Sequence, residues 1–188
     1  MKKMFVLFLL SVFSGFGTHL FATTLPDACG DDKVQFDVTM AKNAPAPAAL
    51  ADGKARIVFI ERIDTNGLCI GCNYTARVGM DGAWVGANKG NSYFVLDVAP
   101  GEHHVCADWQ SAIGKRRAQV GMGSLTAEAG KVYYYQIHIK ATPGEVSGMP
   151  NGPVTSTDVW TLDLAPLSDD EGKYRMKISA LANAKPKK

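Results

Sequence analysis

Hydrophobic and polar positions alternate with a period of two along most of the chain, in short runs separated by turn residues. From Lys54 to about Ala141, these runs are rich in Val, Ile, Tyr and Phe and are broken by Gly, Asn and Asp. A period of two places successive side chains on opposite faces of a strand, so the pattern indicates several short strands without a helix between them. The prediction is an all-β domain, built as an antiparallel β-sandwich.

One run departs from this alternation. Within 55–61, the four residues Ile57-Val58-Phe59-Ile60 are all apolar. A strand that is apolar on both faces is typical of the middle of a sheet that is covered on both sides. We therefore expect this run to form a central strand.

Two turn signals predict hairpins. Asp81-Gly82 suits a two-residue turn with positive φ, so 74–80 and 83–87 should pair, with Val78 opposite Val85 and Gly79 opposite Trp84. Pro100-Gly101 suits a type II turn, so 92–98 and 103–109 should pair as well. In that second register the inner face is expected to carry Phe94, Leu96, Val98, His103, Val105, Ala107 and Trp109, while Cys106 lies on the outer face and Asp97 pairs with His104.

The later elements are less regular. A third hairpin is expected between 124–128 and 132–141, although a tight turn there would put Leu125 on a different face from the apolar residues of the second strand. Residues 142–157 hold three prolines and three glycines and predict a long loop, followed by a strand at 158–164. Ser168 and Glu171 have the spacing of a capping box, which favours a short C-terminal helix, whereas 173–178 also alternates like a strand.

The first residues have the layout of a secretory signal. Lys2 and Lys3 precede an apolar run that ends at Phe13, and small or mixed residues continue to Ala22. The apolar run is too short to span a bilayer, so we expect export with no transmembrane segment after signal removal. The predicted organisation is a signal peptide at 1–22, an N-terminal strap and Ala/Pro connector at 23–53, a β-sandwich domain at 54–183 and a basic tail at 184–188.

Charge argues against a nucleic-acid partner. The whole chain has a formal net charge of +2, but signal removal would take away two lysines and no acid. Three further lysines lie in the last four residues. The remaining domain therefore carries a small excess of acids, whereas nucleic-acid binding depends on clustered Lys and Arg that neutralise phosphates.

Four cysteines lie beyond the signal, namely Cys29, Cys69, Cys72 and Cys106. An even number in an exported chain predicts two disulfides, with three possible connectivities. Two glycines in the loop 66–73 favour a local bridge between Cys69 and Cys72, which leaves Cys29 to bond Cys106 if the N-terminal segment crosses the outer face of its strand. Two alternatives use the same loop: a thiol-redox pair of Cys69 and Cys72, and a zinc site that adds Cys106 and His104.

Several motifs together resemble a known kind of domain. They are KARIVFIE at 54–61, RVGMDGAWVG at 77–86, NSYF at 91–94 and PGEHH at 100–104. The chain resembles a family of exported bacterial β-sandwich domains of unknown function, with an immunoglobulin-like or PEGA-like fold. The resemblance implies the fold and bacterial export, implies no catalytic residue, and favours a binding or structural role near the cell envelope.

Trp84 is the candidate for a binding surface. The predicted register places it away from the core, opposite Gly79 and diagonal to Arg77, so an aromatic face could stack on a glycan or on a partner's side chain. The alternative is that Trp84 is a packing residue, covering a bare glycine backbone and itself covered by the N-terminal connector or a second sheet.

No sequence motif indicates catalysis. The chain lacks G-x-S-x-G, H-E-x-x-H, P-loop and dinucleotide-binding patterns, and its carboxylates are scattered singly. We therefore predict a protein that is not an enzyme and needs no cofactor or metal. The expected function is that of a periplasmic or extracellular binding module with an envelope partner or a glycan as ligand. The alternatives are a metal-binding or thiol-redox protein that uses the Cys69/Cys72 loop, and a purely structural envelope domain.

Overall fold

The computed structural model describes residues 27–64, 74–110, 120–142, 146–147, 155–156 and 159–188. Nearly all of the elements in these ranges are strands. They are β1 (Phe36–Ala41), β2 (Ala55–Asp64), β3 (Thr75–Met80), β4 (Ala83–Lys89), β5 (Ser92–Val98), β6 (Gly101–Trp109), β7 (Gly121–Ala127), β8 (Val132–Thr142), β9 (Val146–Ser147), β10 (Thr155–Ser156), β11 (Val159–Leu167), the helix α1 (Asp169–Ile178) and β12 (Ala180–Pro186).

Two sheets pack face to face and confirm the predicted sandwich. One sheet has six strands in the order β1-β12-β5-β2-β8-β11, and the other has four in the order β4-β3-β6-β7. Most neighbouring strands are antiparallel, but β2 runs parallel to β8 and β12 runs parallel to β5. The short strands β9 and β10 pair with each other.

Strand β2 is central and covered on both faces, as its uninterrupted apolar run predicts. Ile57 and Phe59 belong to the core between the two sheets. Val58 and Ile60 point the other way and pack with Tyr134 in a second apolar cluster, which α1 covers through Met176. The sandwich therefore has a third, thinner layer on the outer face of its six-stranded sheet.

The β3–β4 hairpin forms, but its predicted register is only partly correct. Gly79 lies opposite Trp84 as expected, whereas a bulge between Val78 and Gly79 places Val78 opposite Gly86 rather than Val85. The bulge brings Gly86 to the core side of the strand, where the ring of Phe94 occupies the space that a side chain would need. Packing of Gly86 against Phe94, and not the turn alone, therefore determines how β3 pairs with β4 beyond the bulge.

The other two predicted hairpins are wrong. Strand β5 pairs with β2 and β12 in the six-stranded sheet, whereas β6 pairs with β3 and β7 in the other sheet. The Pro100-Gly101 connection therefore crosses from one sheet to the other, and so does the connection from β7 to β8 around Ala129-Gly130. The faces predicted for β5 and β6 are nevertheless right, because the alternation of side chains does not depend on which strand is the neighbour. His103 shares the face of Val105 and lies opposite Leu125. A tight turn would have put Leu125 on a different face from the apolar residues of β8. In the structure the two strands lie in opposite sheets, so Leu125 and the odd-numbered residues of β8 face the same core.

The predicted ion pair of Asp97 with His104 is also wrong, because these residues lie in different sheets. Asp97 instead accepts two hydrogen bonds from Arg56 of the neighbouring strand β2, at 2.6 and 2.8 Å. The exposed His104 ring lies 3.8 Å from Glu102, and the half-buried His103 is hydrogen-bonded rather than packed among apolar side chains.

The C-terminal region combines a predicted helix with an unpredicted strand. The Ser168 side chain accepts a hydrogen bond from the Glu171 N–H, so the capping box marks the start of α1 as expected. The helix backbone at Gly172 rests directly on the Tyr134 ring. After the helix, β12 pairs with both β1 and β5, so residues 184–186, predicted to belong to a basic tail, continue a strand that holds the N-terminal segment in the sheet.

Candidate functional site

The strap, residues 27–35, crosses the outer face of the four-stranded sheet. The disulfide between Cys29 and Cys106, expected from the sequence, ties it to β6 with a Cα–Cα distance of 5.5 Å. Gly79 of the adjacent strand makes room for this bridge, because a Cβ atom there would lie 2.7 Å from the Cys106 sulfur and 2.8 Å from the Cys29 Cα. A glycine is therefore required beneath the strap.

Arg77 holds the strap from below. Its side chain is buried, and its Nη2 lies 2.5 Å from an Asp108 carboxylate oxygen. The Nη1 group donates hydrogen bonds to the strap carbonyls of Asp32 and Val34, at 2.8 and 2.7 Å. The guanidinium also lies 4.2 Å from the centre of the Trp84 ring, in a cation–π contact.

Trp84 is covered by the same strap. Its Nε1 donates a hydrogen bond of 2.7 Å to the Asp31 carbonyl, and the backbone of Gly30 lies against the indole so closely that a Cβ atom would be 2.8 Å from Cδ1. The indole is half-buried as a result. The strap therefore covers part of the face on which the sequence placed a binding surface at Trp84 and Arg77, and that surface stays a prediction. The alternative interpretation, packing by the N-terminal segment, matches the observed contacts.

The disulfide also limits the cysteine alternatives. Cys69 and Cys72 lie outside the described residues, so their predicted bridge is untested. Cys106 is bonded to Cys29 and cannot at the same time be a thiolate ligand, which removes it from the zinc set proposed with His104. Within the described ranges, no three His, Cys, Asp or Glu residues converge closely enough to hold a metal ion.

A groove of about 650 Å³ opens on the outer face of the six-stranded sheet. The connector, residues 42–54, forms one wall through Ala44 and Ala46, and the end of α1 forms the other through Met176 and Ile178. Tyr93 of β5 lies between them. A concavity of this size with an apolar lining is of the kind that proteins use to bind small molecules or short segments.

The groove carries unpaired positive charge and an exposed apolar side chain. Lys42 and Lys177 line it, and neither has a carboxylate within salt-bridge distance in the described part of the chain. Ile178 is 64% exposed, so the chain by itself leaves most of this apolar side chain in water. Sequence reasoning missed this site because its walls come from segments about 130 residues apart; the signal available was the apolar Tyr174, Met176 and Ile178 beside lysines.

A buried carboxyl lies in the core between the sheets. Glu61 is 1% exposed, and neither carboxyl oxygen has a hydrogen-bond partner among the described residues. Burial raises the pKa of Glu61 well above its ordinary value; the N–H groups of Gly90 and Ala76 approach without forming hydrogen bonds and only partly oppose the rise. The nearby Asn88 is equally buried and donates to the carbonyls of Phe59 and Ser92.

A second polar contact lies at the β3–β4 turn. His103 Nδ1 is 2.6 Å from an Asp81 carboxylate oxygen, and its Nε2 is 2.9 Å from the Ala99 carbonyl oxygen. Because both ring nitrogens face acceptors, the Ala99 carbonyl and then Asp81 raise the pKa of His103. Burial by itself would raise the pKa of Asp81. The hydrogen bonds from His103 and from the His104 N–H outweigh it, so the pKa of Asp81 is lowered.

No protein-family model, curated protein or solved structure matches the chain. The resemblance to exported bacterial sandwich domains therefore stays a prediction. In the described ranges, no helix has the length and apolar character needed to cross a membrane.

Proposed function

We propose that this chain is a non-catalytic, exported binding module that acts in the cell envelope or outside the cell. The observation that carries the proposal is the groove between the connector and α1, with its apolar lining and two lysines. The Cys29–Cys106 disulfide supports export, because such bridges persist mainly in oxidising compartments.

The groove is a better binding site than the Trp84 face. At Trp84 the indole N–H and the neighbouring guanidinium already bond the strap, so a ligand would first have to displace it. At the groove, by contrast, Ile178 is exposed and Lys177 has no acidic partner among the described residues. A ligand bound there would cover the exposed Ile178 side chain and could place an acidic group beside Lys177.

The competing thiol-redox function uses the Cys69/Cys72 loop. Cys106 is bonded to the strap, so it cannot act as a resolving thiol for that loop while the bridge is intact. Free thiols at Cys69 and Cys72 in the purified protein would favour this alternative over the binding module.

A fragment screen by two-dimensional NMR tests the binding module without knowledge of its ligand. We expect weak-binding fragments to shift the amide signals of the groove, and Ile178→Asp to abolish those shifts. Met122→Asp is the matched control, because Met122 is 59% exposed and belongs to the opposite sheet.

Two results would count against the proposal. Fragment shifts that cluster at the strap and Trp84 would move the binding site away from the groove. A screen that gives no localised shifts, with the protein folded, would favour a purely structural domain.

A further inference from the structure

The groove combines three features that together select one kind of ligand: unpaired backbone groups, an apolar surface and positive charge. Resting on the proposed function, we propose that it binds an extended, acidic segment of a partner protein that carries apolar side chains at alternate positions. Each feature matches one part of such a segment.

The connector provides the backbone partner. Ala44 and Ala46 line the groove, and none of their N–H or carbonyl groups forms a hydrogen bond within the described residues. Each of them precedes a proline, Pro45 or Pro47, which keeps the connector extended and out of a helix. In an extended chain, residues two apart turn their backbone groups to the same side, so a second extended segment can pair with both.

The apolar surface explains why alternate side chains of the segment should be apolar. A segment paired with the connector would turn every second side chain toward the sheet, where Tyr93, Met176 and Ile178 line the groove. Tyr93 and Met176 already pack in the outer apolar cluster, whereas Ile178 remains largely exposed. Covering Ile178 would bury apolar area that the chain by itself leaves in water.

The charge explains why the other positions should be acidic. Lys42 comes from the connector side of the groove and Lys177 from the helix side, so two cationic residues border the same concavity. Lys173 and Lys187, in contrast, each lie within 4 Å of a carboxylate. A partner carboxylate would complete an ion pair at Lys42 and at Lys177, and a basic segment would be repelled.

The test uses the intact mature protein and capped seven-residue peptides of alternating valine and glutamate. Matched peptides replace glutamate with glutamine or with lysine, and a fourth peptide is methylated at alternate backbone nitrogens. We expect the glutamate peptide to shift groove amides and the glutamine peptide to bind about tenfold more weakly, because two ion pairs are lost. The lysine and N-methylated peptides should not bind measurably.

Charge reversal at the two lysines gives a sharper result. The double variant Lys42→Glu/Lys177→Glu should no longer bind the glutamate peptide and should bind the lysine peptide instead. Lys131→Glu combined with Lys140→Glu changes the net charge equally at two exposed positions outside the groove and should change neither affinity appreciably. Unchanged thermal unfolding of both double variants shows that the fold is retained.

The failures of the two proposals are distinguishable. Equal binding of the glutamate, glutamine and lysine peptides would overturn the proposal of an acidic segment and leave the groove as a binding site. Binding of non-peptide fragments alone would have the same meaning. Groove shifts seen only with phosphatidylglycerol vesicles, or only at high protein concentration, would assign the groove to a lipid surface or a second copy and overturn the peptide. No groove ligand of any kind would overturn both proposals.

Discussion

Arg77 and Asp108 form a buried ion pair across β3 and β6, with 2.5 Å between Nη2 and the carboxylate oxygen. The same guanidinium bonds two strap carbonyls, so the pair connects the sheet to the N-terminal segment. Because both side chains are nearly inaccessible, the loss of one partner would leave an uncompensated charge in the interior. This relationship makes the strap part of the folded domain rather than an appendage.

Removal of the Asp108 carboxylate should destabilise the domain strongly. We expect Asp108→Ala to lower the free energy of unfolding by about 3 kcal/mol, measured by urea denaturation with the disulfide intact. Asp97→Ala is the matched control, since its pair with Arg56 is more exposed, and it should cost about 1 kcal/mol or less. Equal losses in the two variants would contradict a special role of the buried pair.

Trp84 should behave as a packing residue. Trp84→Ala removes the cover of the Gly30 backbone and the hydrogen bond to Asp31, so we expect a loss of about 3 kcal/mol in thermal or urea unfolding. Trp84→Phe keeps an aromatic ring and loses mainly the N–H, so it should cost about 1 kcal/mol. An unchanged stability in Trp84→Ala, with a loss of ligand binding, would instead support the aromatic binding face predicted from the sequence.

The buried Glu61 should make stability fall as pH rises. Its pKa is raised by folding, so the native state holds a proton that the unfolded chain releases above about pH 4.3. Stability is therefore greatest below that pH and decreases upward toward the raised pKa. We expect Glu61→Gln to be more stable than wild type at pH 7. Its free energy of unfolding, measured by urea denaturation, should no longer fall as pH rises.

Glu128→Gln is the control for Glu61, because Glu128 is exposed and its pH profile should follow that of wild type. A Glu61→Gln variant that is less stable than wild type at pH 7 would mean that the carboxylate is ionised and paired in the native protein.

The contact of His103 with Asp81 should add a second pH dependence. The pKa of His103 is raised in the folded state, so its contribution to stability is complete below about pH 6.5, the unfolded value, and is lost as pH rises through the folded value. We expect His103→Gln to be less stable than wild type at pH 5.5, by about 1 kcal/mol at most since Asp81 is partly exposed, and nearly equal at high pH. His104→Gln, at the exposed neighbouring ring, should show no such difference.

An NMR titration can check the His103 assignment directly. The ring signals of His103 should titrate above the ordinary pKa of a histidine in the folded protein, and Asp81→Asn should lower the pKa of His103. A His103 that titrates below its ordinary value would contradict the contact.

Some features of this protein could be predicted because they depend on neighbours in the chain. The alternation of residues identified the strands and their apolar faces, the apolar run 57–60 identified β2 as central, and Ser168 with Glu171 marked the start of α1. Each of these signals acts within a few residues, where steric and hydrogen-bonding rules are local. The Cys29–Cys106 bridge was expected only as what remained after a local Cys69–Cys72 bridge, and it depended on where the N-terminal segment crosses.

The tertiary structure decided which strands pair and what covers each face. A turn signal such as Pro100-Gly101 reverses the chain, but it does not say whether the next strand stays in the same sheet; β5 instead pairs with the apolar β2. The strap over Trp84 and the groove beside Ile178 each join segments that are distant in the sequence. Such contacts depend on the burial of apolar area across the whole domain, a long-range energy that no local pattern encodes.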